Sequence, residues 1–402
     1  MAQARDLSLA DAEKLLGERG RELMASRRAL ESAGAQRQIA AARPNPTVSL
    51  NSSSISNNYG NGNTWRADTV LRIDQPFERG NKRELRMEAA EGLERAARGD
   101  SLDALRTQLA LVRGAYYDLK QAEEKVAILG ETAQLFGRTL AAAQARLKAG
   151  DLAAAEVAKV QVDHERAQNE FRVAQNDLAR ARLALGYMIG EDRGAAELRA
   201  ADPWPPRLRP DPAEVERAIE VAADTRPDVV AARSRVAASE KLRDLAKSLQ
   251  TRDVTIGAQY ERYPGTIPAD SVGVGISFPL FTGNDFSGDI RRAEVDRYAA
   301  LDALDRARAI AGNDIRRAAA DLAAAADRLE RYDSTLLEAA GRTAQAIEFA
   351  FQRGATSVLE VLDARRTLRA VRLEALAART DHAKALAAWR ASQTTVDMLG
   401  EK

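Results

Sequence analysis

Phe351-Gln-Arg-Gly354-Ala-Thr-Ser357-Val-Leu-Glu360-Val-Leu-Asp363-Ala-Arg365 reads as a tight turn that launches a long helix. Glycine accepts the positive φ that closes one helix, and Ser357 stands close enough to cap the next. The same pattern lies 204 positions earlier, as Leu147-Lys-Ala-Gly150-Asp-Leu-Ala-Ala-Ala-Glu156-Val-Ala-Lys-Val-Gln161. Gly150 matches Gly354, Glu156 matches Glu360, and Val157 matches Val361. A helix–turn–helix tip repeated at half the chain length implies two like halves.

Outward from each turn the pattern stays helical. After Gly150, the residues Val157, Val160, Ala167, Phe171, Ala174, Leu178, Ala181, Leu185 and Met188 keep a 3–4 spacing. The helix before Gly354 has Ile315, Ala318, Leu322, Ala325, Leu329, Tyr332 and Leu336 on its seam. The last helix has Val361, Ala364, Leu368, Val371, Ala375, Ala378, Ala385 and Trp389. A repeat of seven sustained this long implies supercoiling against a neighbouring helix.

Farther out the period changes to two. Trp65, Ala67, Thr69, Leu71 and Ile73 alternate with Arg66, Asp68, Val70, Arg72 and Asp74. In the second half Val254, Ile256, Ala258 and Tyr260 alternate with polar or small residues, as do Val272, Val274, Ile276 and Phe278. With Thr47 to Ser56, these runs form two hairpins. Turn chemistry joins the strands of each, Asn57-Asn-Tyr-Gly-Asn-Gly-Asn63 in the first and Tyr263-Pro-Gly-Thr-Ile-Pro-Ala269 in the second. Pro76 and Gly80 end the first hairpin, Pro279 and Gly283 the second.

The resulting plan is a first repeat over 1–189: a helix, a hairpin at about 47–75, a long helix to 150, and a helix over 152–189. Residues 190–212, broken by Asp202-Pro-Trp-Pro-Pro206 and Arg209-Pro-Asp-Pro212, are a linker. The second repeat fills 213–402: a helix, a hairpin at about 253–279, a long helix to 353, and a helix over 356–399. The initial helices read as unbroken over about 8–43 and 213–250. The helix from Gly80 to Gly150 spans about 105 Å at 1.5 Å per residue, so two half-length helices can lie along it.

Composition narrows the function. The 60 basic and 59 acidic residues are interspersed and leave a net charge of +1, so no basic stripe supports nucleic-acid binding. Cysteine is absent, which removes disulfides, thiolate metal sites and lipid attachment to an N-terminal cysteine. No apolar run reaches the roughly 18 residues of a membrane helix. Met1-Ala-Gln-Ala4 fits an added methionine on the remnant of an A-x-A cleavage site, or an ordinary start. No catalytic constellation is present, and Gly273-Val-Gly275 lies within a strand, where no nucleotide loop belongs.

The hairpin strands have about ten residues each, enough to cross a bilayer as tilted barrel strands. The other reading is a small antiparallel sheet capping a helical bundle. Four strands cannot close a membrane barrel, and open edges are not tolerated in hydrocarbon. Strands that cross a membrane here must therefore be pooled among several chains with cyclic symmetry.

With its tandem halves, paired hairpins, strand-ending Pro–Gly segments and two glycine tips, the chain resembles the outer membrane factor (TolC-like) family of efflux channels. The resemblance implies a mainly α fold with membrane β structure: a homotrimer whose long coiled-coil helices form an α-barrel in the periplasm. Four strands per chain complete a twelve-stranded β-barrel in the outer membrane, and the 190–212 linker joins an equatorial belt. It also implies two partners, a periplasmic adaptor (membrane fusion) protein and an inner-membrane pump of the resistance-nodulation-division type. Gln75-Pro76-Phe77-Glu78-Arg79-Gly80-Asn81-Lys82-Arg83 is similar to a segment of cobalt–zinc–cadmium efflux subunits. A drug or solvent efflux channel, and a periplasmic coiled-coil adaptor or scaffold, stand beside that reading.

Glu360 and Asp363 lie three apart, on one helical face. They match positions where TolC-like channels carry acidic rings, and Glu156 stands at the equivalent place after the first turn. Such rings concentrate cations at a constriction; the alternative is a solvated helix surface. The enteric prototype closes with a tyrosine three residues before the second tip glycine and an arginine two after it. Here Phe351 and Thr356 occupy those places, with Arg353 nearby. The tips Lys148, Gly150 and Asp151, and Arg353, Gly354 and Ala355, are the adaptor contacts the resemblance implies. His164 and His382 fall on helix seams without companion ligands and read as packed side chains, with no cofactor or bound metal expected.

Overall fold

The computed structural model describes residues 5–58, 64–263, 269–353 and 355–400. The suggested cleavage remnant at 1–4, most of the first hairpin turn, the 264–268 loop and Gly354 lie outside these residues.

In order, the elements are β1 (Arg5–Leu7), α1 (Leu9–Arg19), α2 (Arg21–Ala41), β2 (Thr47–Asn58), β3 (Thr64–Phe77), α3 (Lys82–Lys148) and α4 (Ala154–Ile189). There follow β4 (Leu198–Ala200), α5 (Pro212–Thr225), α6 (Pro227–Ser248), β5 (Val254–Tyr263), β6 (Ala269–Ser277), α7 (Ser287–Arg331), α8 (Leu337–Gln352), α9 (Val358–Ser392) and α10 (Val396–Gly400). The contacts divide the chain into two units. One comprises residues 28–99 and 230–307, the other 5–27, 100–229 and 308–400, so both draw on each half of the sequence.

The first unit holds an antiparallel sheet in the order β2-β3-β5-β6. Its strands have the expected alternation, with Val48, Ile73, Ala258 and Val274 on one rung and Leu50, Leu71, Tyr260 and Val272 on another. Below the sheet, α3 packs closely on α6. A Cβ on Gly92 would lie 2.9 Å from that of Ala238, and one on Gly99 2.9 Å from that of Ala231. Small residues seven apart on both helices let the backbones approach.

The second unit is helical, with three buried clusters. Leu7, Leu16, Val112, Tyr116, Leu119, Leu185 and Leu198 form one. Phe136, Val160, Ala167, Val358 and Leu362 form another. Ile315, Leu322, Leu386 and Trp389 form the third. Large side chains fully buried in this way contribute about 1.5–3 kcal/mol each. The α4 and α9 seams are buried or half-buried throughout, as their spacing requires.

Several boundaries differ from the expectation. The first helix divides at Gly20, whose ψ of 119° leaves the helical region. The helix expected over 213–250 divides at Arg226, extended at φ −66°, ψ 137° because Pro227 follows. The helix before the second tip starts at Ser287, after Phe286 at φ +62°. It also contains a π-turn over Tyr332–Leu336. The extra residue per turn rotates the seam, which leaves Leu336 exposed where the heptad count placed it inside. Finally, β1 and β4 pair in parallel, Arg5 opposite Leu198 and Leu7 opposite Ala200, within segments read as irregular.

Candidate functional site

Three parts of the chain bear on the sequence expectations: the sheet, the glycine tips and the docked linker. Among the described residues, the apolar face of the sheet is unpartnered. Val272 is 87% exposed, Val274 91% and Ile276 70%, and Val48, Leu50, Leu71 and Ile73 are exposed beside them. Strands β2 and β6 each have one open edge. A face this apolar, with unpaired edges, is not built for water. The opposite face is polar or small, and there Arg72 forms a two-bond pair with Asp74, Nε at 2.7 Å and Nη2 at 2.8 Å.

The Gln75–Arg83 segment continues from β3 into α3 and is bound up in structural contacts. The Lys82 ammonium is buried, donating at 2.8 Å to both the Asp253 carboxylate and the Thr251 carbonyl. The Arg79 amide donates to Asp253 at 2.9 Å, and Arg86 bonds Glu78. These residues anchor the strand-to-helix junction.

At the first tip Gly150 has φ +85°. The Asp151 amide reaches back to the Arg146 carbonyl at 2.9 Å. Across the second tip the Ala355 amide bonds the Ala350 carbonyl at 2.9 Å, the same bond 204 residues later. Ser357 caps α9 through its Oγ, which accepts from the Glu360 amide at 3.3 Å. Ala153, its counterpart before α4, has no side-chain cap. The Thr356 hydroxyl donates to the Glu360 carboxylate, so that acid also serves the helix start.

Glu360 and Asp363 are exposed on α9, whereas Glu156 is half-buried at the start of α4. Phe351 turns inward against the Phe136 cluster, with the Arg146 guanidinium 5.7 Å from its ring centroid. Arg353 is exposed and stacks over Phe349 at 5.0 Å. Lys148, Asp151 and Ala355 are exposed.

The arginines that follow the acids on α9 were not evident from the sequence as functional neighbours. Arg366 bonds the buried Asp163 of α4 at 2.6 Å and Arg369 bonds Glu170 at 2.7 Å. Arg365 reaches Glu348 of α8 at 2.7 Å, and Arg372 reaches Glu131 of α3 at 3.1 Å. Spacings of three and four along α9 were the available signal. These pairs occupy the α9 arginines that follow the acids, while Glu360 and Asp363 stay exposed on the same helix, as do Asp151, Lys148 and Arg353 at the tips.

The linker docks on the start of the chain. The Tyr116 hydroxyl, its pKa pushed up by burial, donates to the Leu7 carbonyl at 3.1 Å and accepts the Asp202 amide at 3.0 Å. Trp204 stacks on Tyr117 and donates to Glu124 at 2.7 Å. His382 is buried, its Nε2 3.2 Å from both the amide nitrogen and the carbonyl oxygen of Leu208, and burial lowers its pKa. His164 is half-buried, with Cε1 3.3 Å from where a Cβ on Gly137 would lie. Among the described residues no group of three or more His, Cys, Asp or Glu is placed to hold a metal ion, and no helix is long and apolar enough to cross a membrane.

Long paired helices with a four-stranded sheet whose apolar face is exposed define a class of protein that meets a membrane through its sheet. Residues 14–191 and 218–392 each match the outer membrane efflux protein family, and the chain belongs to it. Its place is the outer membrane, extending into the periplasm. The chain is 28% identical over 319 residues to the cobalt-zinc-cadmium resistance protein CzcC of Cupriavidus metallidurans, covering 77% of this chain and 72% of that one. Its fold is that of the outer-membrane channel OprN, with a TM-score of 0.78 at 21% identity, over 96% of this chain and 89% of the other. It is likewise that of the outer membrane protein VceC of Vibrio cholerae, with a TM-score of 0.77 at 18% identity, over 96% of both chains.

Proposed function

We propose that the protein is the exit duct of a tripartite efflux system. Three copies pool their strands into a twelve-stranded barrel, and substrate passes through it without chemical change. The observation that carries this reading is the sheet: one chain leaves an apolar face and two strand edges bare, and hydrocarbon accepts the face only once the edges are paired. An inner-membrane pump of the resistance-nodulation-division type supplies the energy, and a periplasmic adaptor contacts the two tips around Lys148–Asp151 and Arg353–Ala355. Each repeat, over 1–189 and 213–402, contributes one hairpin and one tip, with the 190–212 linker in an equatorial belt.

Heavy-metal cations are the favoured cargo. The similarity to CzcC supports this, as do exposed Glu360 and Asp363, which as rings in a trimer raise the local cation concentration. The test is a deletion strain challenged with zinc, cobalt and cadmium and, in parallel, with dyes. Metal sensitivity relieved by the wild-type gene is expected. Sensitivity to dyes alone would assign the duct to drug efflux.

A further inference from the structure

We propose that Arg72 is a selectivity-setting residue of the barrel wall, pinned flat by Asp74 in a trough made by three glycines. The inference rests on the reading of the sheet as barrel wall. On the polar face one rung runs Ser49, Arg72, Gln259, Gly273 and the next Thr47, Asp74, Gly257, Gly275. The Arg72 guanidinium gives Nε and Nη2 to the two Asp74 oxygens and Nη1 to Gln259 Oε1 at 3.3 Å. It thereby lies across strand β5 instead of standing out from the sheet.

Gly257 above all permits this. A Cβ on Gly257 would lie 2.2 Å from Asp74 Oδ1 and 2.8 Å from Arg72 Nη2. One on Gly273 would lie 3.1 Å from Gln259 Cγ, and one on Gly275 3.7 Å from Arg72 Nη2. Any side chain at 257 would force the Arg72–Asp74 pair to shift from this position. Glycine is a poor strand residue, so its use on neighbouring rungs requires a local gain of this kind.

The electrical consequence follows from the rest of the face. Among the described side chains of this face at positions 68, 70, 72 and 74, and their rung partners on β5 and β6, the charged groups are Asp68, Arg72, Asp74 and Glu261. Arg72 is the one base among them. Neutralised by Asp74, it leaves Asp68 and Glu261 to give these described positions a net acidic character. Freed from Asp74, three guanidiniums per barrel would oppose cation passage.

The experiment uses full-length protein reconstituted in planar bilayers, with reversal potentials measured across a KCl gradient at low salt, where wall charges are least screened. Arg72→Gln should shift the K+/Cl− permeability ratio severalfold toward cations and Asp74→Asn severalfold toward anions. Their combination should return near wild type, and Gly257→Val should lower single-channel conductance. If both single variants keep the wild-type ratio, the inference is wrong. Because the chain has no cysteine, Arg72→Cys and Val274→Cys can be challenged separately with a membrane-impermeant thiol reagent in liposomes. Labelling at 72 with protection at 274 is expected. Equal labelling at both would remove the barrel reading itself, independently of the selectivity result. Should Asp74→Asn fail to assemble, attaching a cationic or an anionic thiosulfonate to assembled Arg72→Cys must move the ratio in opposite directions; equal ratios after both reagents would overturn the proposal.

Discussion

Replacing Arg226 by methionine should loosen the joint between α5 and α6 more than any surface substitution. The guanidinium is 1% exposed and bonds Asp228 at 2.8 and 2.6 Å and Asp314 at 3.1 Å. Burial opposes its charge, yet the bonds and charges of Asp228 and Asp314 together outweigh that and raise its pKa; the bonds to Arg226 hold the Asp228 carboxyl below its ordinary value against burial. Removing one partner of such a buried pair costs about 3–5 kcal/mol, because the remaining charges stay poorly solvated. Chain-wide unfolding of a long multi-part protein is not two-state, so the assay should be local. Hydrogen exchange of the amides flanking Arg226 should accelerate roughly a hundredfold to several thousandfold. Adding Asp228→Asn and Asp314→Asn to Arg226→Met should recover much of the protection, since an uncharged cluster has no unpaired carboxylate. A change of less than tenfold in the single variant would refute the reasoning. The depressed Asp228 value also fixes a sign. Its stabilising contribution is present above the unfolded carboxyl pKa of about 3.9 and is lost as pH falls through the lower folded value.

Other parts of the molecule make separate predictions. Glu360→Gln with Asp363→Asn should reduce cation preference in planar bilayers, and an unchanged permeability ratio would remove the acidic-ring claim. His382, whose pKa burial lowers, binds its proton more readily unfolded. Its contribution is full above about pH 6.5 and declines as pH falls toward the folded value. The protection factor at Leu208, which removes the intrinsic pH dependence of exchange, should therefore fall on mild acidification in wild type and stay level in His382→Gln. Ser357→Ala should destabilise the start of α9 by about 1 kcal/mol, read as faster exchange at Glu360, while Ala153→Ser should protect the start of α4.

Much of this architecture is written locally. Gly150 needs a left-handed backbone and has one, and the alternation of Leu71, Ile73, Val272 and Val274 fixes which face of the sheet is apolar. Heptad spacing located the α4 and α9 seams because a helix buries what its own period dictates. Other features depend on partners far away in the chain. The β1–β4 pairing joins residues 5–7 to 198–200, and three-residue strands carry no period to read. Arg226-Pro227 did hold a signal, since the residue before proline is driven out of the helical region; the surrounding alanines hid it. The π-turn at Tyr332–Leu336 has no sequence mark that the heptad count could register. Of the candidate site residues, Phe351 packs half-buried against the tip core, and nothing in its spacing distinguishes a gate from a packed ring. The Arg72–Asp74 pair was visible as two charges on one face. Its meaning required the register that sets both beside Gly257.

A membrane barrel built from this chain needs strands shared between copies. Native mass spectrometry of the detergent-solubilised protein measures this directly: the predicted species has three times the chain mass of 43.6 kDa. A stable monomer that needs no detergent would contradict it.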